Sequence, residues 1–157
     1  MTDNRTANNE NSAAAENELV TSRVIDASPA LVYDAWTKPE QLAQWWGPDG
    51  FTSTFHKFDL RPGGLWEFVM HGPNGVDYPN TSEFVEVGME RIVLRHLNAP
   101  HFQLTAIIED VGGKTKLTWR QLFESAAVFE AIKKIAFPAN EQNLDRLEAH
   151  LQSHKTT

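Results

Sequence analysis

The spacing of apolar residues switches between strand and helix periods three times along the chain, and two of the switches fall at prolines. Leu19 to Asp26 sets Val20, Val24 and Ile25 among Thr21 and Ser22, the profile of an opening strand. Ser28-Pro29 then starts a helix, with Ser28 as N-cap and Pro29 at the first helical position. Leu31, Val32, Ala35 and Trp36 recur at helical spacing and end near Thr37. Pro39 breaks this helix, and a second short one runs from Glu40 through Leu42 to Trp45 or Trp46, where Gly47-Pro48 stops it.

From Phe51 the period is two. Phe51 to Leu60, Leu65 to His71 and Ser82 to Val87 alternate, and so do Arg91 to Leu97, Phe102 to Glu109 and Thr115 to Phe123. Short turn segments separate most of them, among them Pro62-Gly63-Gly64, Gly88-Met89-Glu90 and Gly112-Gly113, with a longer loop from Gly72 to Pro79. Such short connections predict an antiparallel meander, because parallel crossovers need a dozen or more residues. With the opening strand the sheet has about seven strands.

After Phe123 the period is helical again: Val128, Ile132 and Ile135 share one face, Pro138 interrupts, and Leu144, Leu147 and Leu151 share a second face. A long terminal helix against a curved antiparallel sheet makes an α+β domain in which the sheet wraps the helix. No internal repeat is present.

Composition narrows the function classes. At 157 residues, 41% hydrophobic and 22% charged, the chain fits one domain with one core, here residues 19–157. Met1 to Glu18 is polar, lacks aromatics and reads as a disordered tail. The net charge of -7, with no basic stripe, disfavours nucleic acid as a partner. Without cysteine there are no disulfides and no thiolate chemistry. No secretory signal and no membrane-spanning run is evident, so a cytoplasmic protein is expected.

The opening strand, the two short helices carrying Pro29, Trp36, Pro39 and Trp45-Trp46-Gly47, then Arg61-Pro62-Gly63-Gly64, the strands and the terminal helix resemble the START or birch-pollen-allergen superfamily. Within it the chain is similar to the branch named after the activator of the heat-shock protein ninety ATPase, also labelled SRPBCC or polyketide-cyclase-like. The resemblance covers about Leu19 to Leu151 and implies a helix-grip fold with a cavity between sheet and terminal helix. Many relatives carry Gly-Trp just before that helix, where this chain has Ala139-Asn140-Glu141-Gln142. Phe137 is the nearest aromatic that could take its place.

Trp66, Phe68 and Met70 form one same-side row, and Leu117, Trp119, Gln121 and Phe123 another. These rows either line a cavity or fill a solid core. The ligand-site candidates are Trp46, Trp66, Phe68, Met70 and Trp119 from the aromatic rows and their helical cover. His96, Gln121, Phe129 and Ile132 complete the set. Trp36 and Trp45 read as structural. Gln121 and His96 could hydrogen-bond a ligand, and His96 or Tyr78 could move a proton. Glu67 and Arg120 fall on the opposite strand faces and read as solvated charges.

His150 and His154 have the spacing of two metal ligands but no evident third, so no metal is expected, and no cofactor motif is present. Gly63-Gly64 reads as a tight turn. Three functions stay open: binding of a small apolar molecule of lipid, flavonoid or polyketide type; a chaperone-linked interaction module; and a cyclase- or dehydratase-like enzyme. A monomer or weak homodimer is expected.

Overall fold

The computed structural model describes residues 14–155, so most of the expected N-terminal tail lies outside the described residues. The elements run β1 (Glu18–Ile25), α1 (Pro29–Thr37), α2 (Pro39–Trp45), β2 (Thr52–Phe58), β3 (Leu65–His71), β4 (Asp77–Val87), β5 (Arg91–His96), β6 (Phe102–Val111), β7 (Lys114–Phe123) and α3 (Ala126–Lys155). They form a helix-grip α+β fold: one seven-stranded sheet in the order β1-β7-β6-β5-β4-β3-β2, antiparallel throughout. Register shifts between Phe55 and Lys57 and between Phe84 and Glu86 mark bulges, which bend strands and strengthen twist. The curved face so made receives the helices.

The two short helices begin as their prolines dictate. Ser28 Oγ accepts from the Leu31 N–H, and Pro29 and Pro39 each occupy a first helical turn, where a missing N–H costs nothing. Gly47 then turns the chain with φ 104°, a left-handed conformation that disfavours any side chain. A Cβ there would also sit 2.8 Å from the Met70 methyl. In the β2–β3 turn, a Cβ on Gly64 would lie 2.0 Å from the Asp59 carbonyl oxygen, so this turn closes only around a bare backbone.

Three expectations need correction. First, Pro138 does not divide the terminal helix, which continues from Ala126 to Lys155. Both Pro138 and Lys134 are exposed, so the carbonyl that proline leaves without a helical donor can be hydrated. Second, the loop expected from Gly72 to Pro79 is shorter, because β4 starts at Asp77 and pairs with β3 through Met70–Tyr78 and Val69–Pro79. Proline is tolerated there because β4 has outrun β5, whose ladder begins at Ser82–His96. Third, Arg120 is no solvated charge: it is 6% exposed and makes a forked bond to Glu18, at 2.9 and 3.0 Å. Glu18, expected in the tail, is the first residue of β1 and brings that carboxylate across β7.

All five tryptophans meet in one cluster. Trp36 contacts Trp45, Trp46 and Trp119 with ring centroids 5.1–5.7 Å apart, and Trp46 also contacts Trp66 and Trp119. Such pairs contribute about 0.5–1.5 kcal/mol each beyond the area they bury. The Trp45 indole donates to the Ala35 carbonyl at 3.0 Å, locking α1 to α2.

Candidate functional site

A cavity of about 270 Å³ lies between the sheet, the α2–β2 loop and the middle of α3. Its apolar wall is built from alternate positions of adjacent strands: Phe68 and Met70 of β3, Leu94 of β5, Leu104 of β6 and Trp119 of β7. Trp46, Gly47 and Pro48 close one side, and Ala139, Asn140 and Asn143 of α3 close another. Trp46 stacks on Trp119 at 5.7 Å and 20°, and both indoles border the space.

Of the candidates read from sequence, Trp46, Phe68, Met70, His96, Trp119 and Gln121 come together around this space. Trp66, Phe129 and Ile132 do not. Trp66 is sealed behind Phe68, whose ring stacks on it at 4.2 Å, and is 1% exposed. Phe129 packs on Phe123 at 6.1 Å, in the first half of α3, where no residue is fully buried. The helix reaches the cavity only near Ala139, about two turns beyond Ile132. Phe137 does not replace the missing aromatic either, since it is 46% exposed and absent from the wall.

The polar end of the cavity was mostly missed from sequence. Asn140 Nδ2 donates to Gln121 Oε1 at 3.0 Å, and the Gly47 N–H donates to Asn143 Oδ1 at 3.1 Å. All three amide side chains are buried. A signal existed: Asn140 and Asn143 occupy the same helical stripe as Leu144, Leu147 and Leu151, so polar residues stand where an apolar face was due. Asn80 and Ser82 of β4 also border the space.

Both nitrogens of His96 are engaged, Nδ1 with the Pro100 carbonyl at 2.9 Å and Nε2 with Asn80 Oδ1 at 2.6 Å. Its ring stacks on Phe102 at 4.6 Å. Burial pushes its pKa down, outweighing the carbonyls of Pro100 and Asn98 that favour the charged ring. A neutral imidazole can donate to only one of its two oxygen partners. Asn80 must therefore turn its NH₂ toward Nε2, giving up its bond to the Tyr78 carbonyl, or the contact is frustrated.

The cavity shares Met70, Asn80, His96 and Pro100 with a shallower groove bordered by Phe51, Tyr78 and Asn98. The α2–β2 loop that forms the opposite wall is held by α3: Arg146 donates to the carbonyls of Gln44, Gly47 and Pro48, and the Asp49 N–H donates to Gln142 Oε1.

The family model described as Activator of Hsp90 ATPase homolog 1-like protein matches residues 26–152, which include every residue of the cavity wall. The chain belongs to that family. A crystal structure of a protein from Nitrosomonas europaea superposes with a TM-score of 0.85 at 23% identity, covering 92% of this chain and all of that one. A solution structure from Arthrobacter aurescens gives 0.81 at 19% identity, covering 88% of this chain and 87% of its own. The AHSA1 protein of Silicibacter pomeroyi gives 0.70 at 18% identity, covering 87% of this chain and 99% of its own. These likenesses establish the fold. A search of curated proteins gives no match.

Among the described residues no three His, Cys, Asp or Glu side chains gather as metal ligands. His150 of the suspected pair instead bonds Gln41 Oε1 at 3.0 Å, and the side chain of His154 lies outside the described residues. No described helix is long and apolar enough to cross a membrane.

Proposed function

We infer that this chain binds a small apolar molecule in the cavity between the sheet and α3. The observation that carries the reading is a space of about 270 Å³ between the sheet and α3, lined by Trp46, Phe68, Leu94, Leu104 and Trp119 and by no charged side chain. The space opens toward the groove at Tyr78, so water can enter it, and an apolar occupant gains by taking the surfaces of Phe68, Leu94 and Leu104 out of water. Enzyme chemistry finds less support, because both nitrogens of His96 are already engaged and Tyr78 stands in the outer groove.

Titration with a panel of lipids, flavonoids and polyketides, followed by tryptophan fluorescence, tests the reading. Mass spectrometry of natively purified protein complements it. Saturable quenching that is lost in Trp46→Leu supports the cavity. Silence across the panel, with no copurifying molecule, contradicts it.

Membership of the family favours a second reading, a module that stimulates a chaperone ATPase. A purified chaperone of the heat-shock ninety type is the assay, and an unchanged ATPase rate removes this reading.

A further inference from the structure

The cavity wall carries no Asp, Glu, Lys or Arg side chain, yet its end on α3 is rich in amides. The pair Gln121 and Asn140 spends one donor and one acceptor on each other, and Asn143 spends its oxygen on the Gly47 N–H. What remains is the Asn140 oxygen and the NH₂ groups of Gln121 and Asn143, none of which bonds within the described protein. Turning over both amides of the pair only exchanges their roles, so the same kinds of group stay unspent. These groups face the open cavity, and an occupant that displaced their water without replacing its hydrogen bonds would lose about 1–3 kcal/mol for each. A cavity whose only need were apolar volume would carry leucine at these positions, as the same helix stripe does at Leu144 and Leu147.

We propose that Gln121, Asn140 and Asn143 select an uncharged molecule of one or two rings that carries a carbonyl beside an N–H or O–H, as in a lactam or imide. This rests on the reading that the cavity binds a small apolar molecule. The ligand carbonyl accepts from the NH₂ of Gln121 or Asn143, and its N–H donates to the Asn140 oxygen. The rings lie on the wall of Trp46 and Trp119. A dry cavity of about 150 Å³ holds one benzene, so about 270 Å³ leaves room for about two rings. A carboxylate is rejected, because it would lose its hydration without meeting a cation.

Three probes of nearly equal size separate the possibilities in calorimetric titrations of the full chain at pH 7.5: naphthalene, 2-quinolone and 2-naphthoate. The expected order has 2-quinolone about tenfold tighter than naphthalene, one net hydrogen bond's worth, and 2-naphthoate at least tenfold weaker than 2-quinolone. Gln121→Met and Asn140→Ala should each abolish the preference, so that within the variant quinolone binds no more than about twofold tighter than naphthalene. The proposal is overturned if wild-type protein binds quinolone no better than naphthalene, if naphthoate matches quinolone, or if the preference survives both substitutions. The wild-type ranking decides even if a variant fails to fold. Naphthalene binding without a quinolone preference leaves the cavity reading standing and removes only the amide selectivity. If neither neutral ring binds, both readings fall.

Discussion

The two halves of α3 carry similar apolar spacing and meet opposite fates. In the second half, Leu144, Leu147 and Leu151 are all but fully buried, and polar side chains staple the helix to its surroundings. Arg146 donates to the Gln44 carbonyl of α2 and to the loop carbonyls of Gly47 and Pro48, His150 holds Gln41, and Arg23 of β1 reaches Glu141, Asp145 and Glu148 at 2.6–2.8 Å. In the first half no residue before Asn140 is buried, and Ile135 is 74% exposed. Helical periodicity marks a face that can be buried; what stands opposite decides whether it is. The second half is bonded to α2 and β1 through Arg146, His150 and the carboxylates that meet Arg23, while Phe129 of the first half packs on Phe123. The cavity amides sit at the junction, so the helix anchors the fold on one side of the site and leaves it loosely covered on the other.

The contrast breaks most readily in stability. Leu147→Ala should cost about 2–5 kcal/mol in denaturant unfolding, whereas Ile135→Ala should stay within about 0.5 kcal/mol of wild type. Similar losses at the two positions would show that the halves are equally packed. Next in size, Arg146→Met should cost about 1.5–3 kcal/mol, since the carbonyls of Gln44, Gly47 and Pro48 lose their charged donor. The same change should speed amide exchange at Gly47 to Phe51, and unaltered exchange there would mean the loop holds itself.

The smallest effect is the pH response of the wall. Because burial lowers the pKa of His96, the folded protein binds fewer protons there than the unfolded chain. Its contribution is therefore present above the ordinary histidine range and is lost as pH falls below about 6.5. The slope for one proton is at most about 1.4 kcal/mol per pH unit. His96→Gln should flatten the stability profile between pH 7 and 5; an unchanged profile would place the titration elsewhere.

The meander from β2 to β7 and the helix positions were legible because each boundary carries its own chemistry: Ser28-Pro29, Pro39, Gly47-Pro48 and Gly63-Gly64 each impose a local turn or cap. The site was legible where alternation on a strand sets direction, as at Phe68, Met70, Trp119 and Gln121. It was not legible where long-range placement decides. Phe129 and Ile132 lie on the face expected to cover the cavity, yet the helix meets it only at Ala139 to Asn143. Arg120 alternates outward as expected, and only the pairing of β1 with β7 shows that Glu18 waits there.

The central claim, that an apolar molecule occupies this cavity, is tested most directly at the methionines. The chain has three, of which Met70 lines the cavity and Met89 is 53% exposed and away from it. In protein carrying ¹³C-methyl methionine, titration with naphthalene should shift the Met70 methyl saturably by ring current and leave the Met89 methyl in place. A Met70 signal that does not move, or one that moves only together with Met89, would contradict the claim.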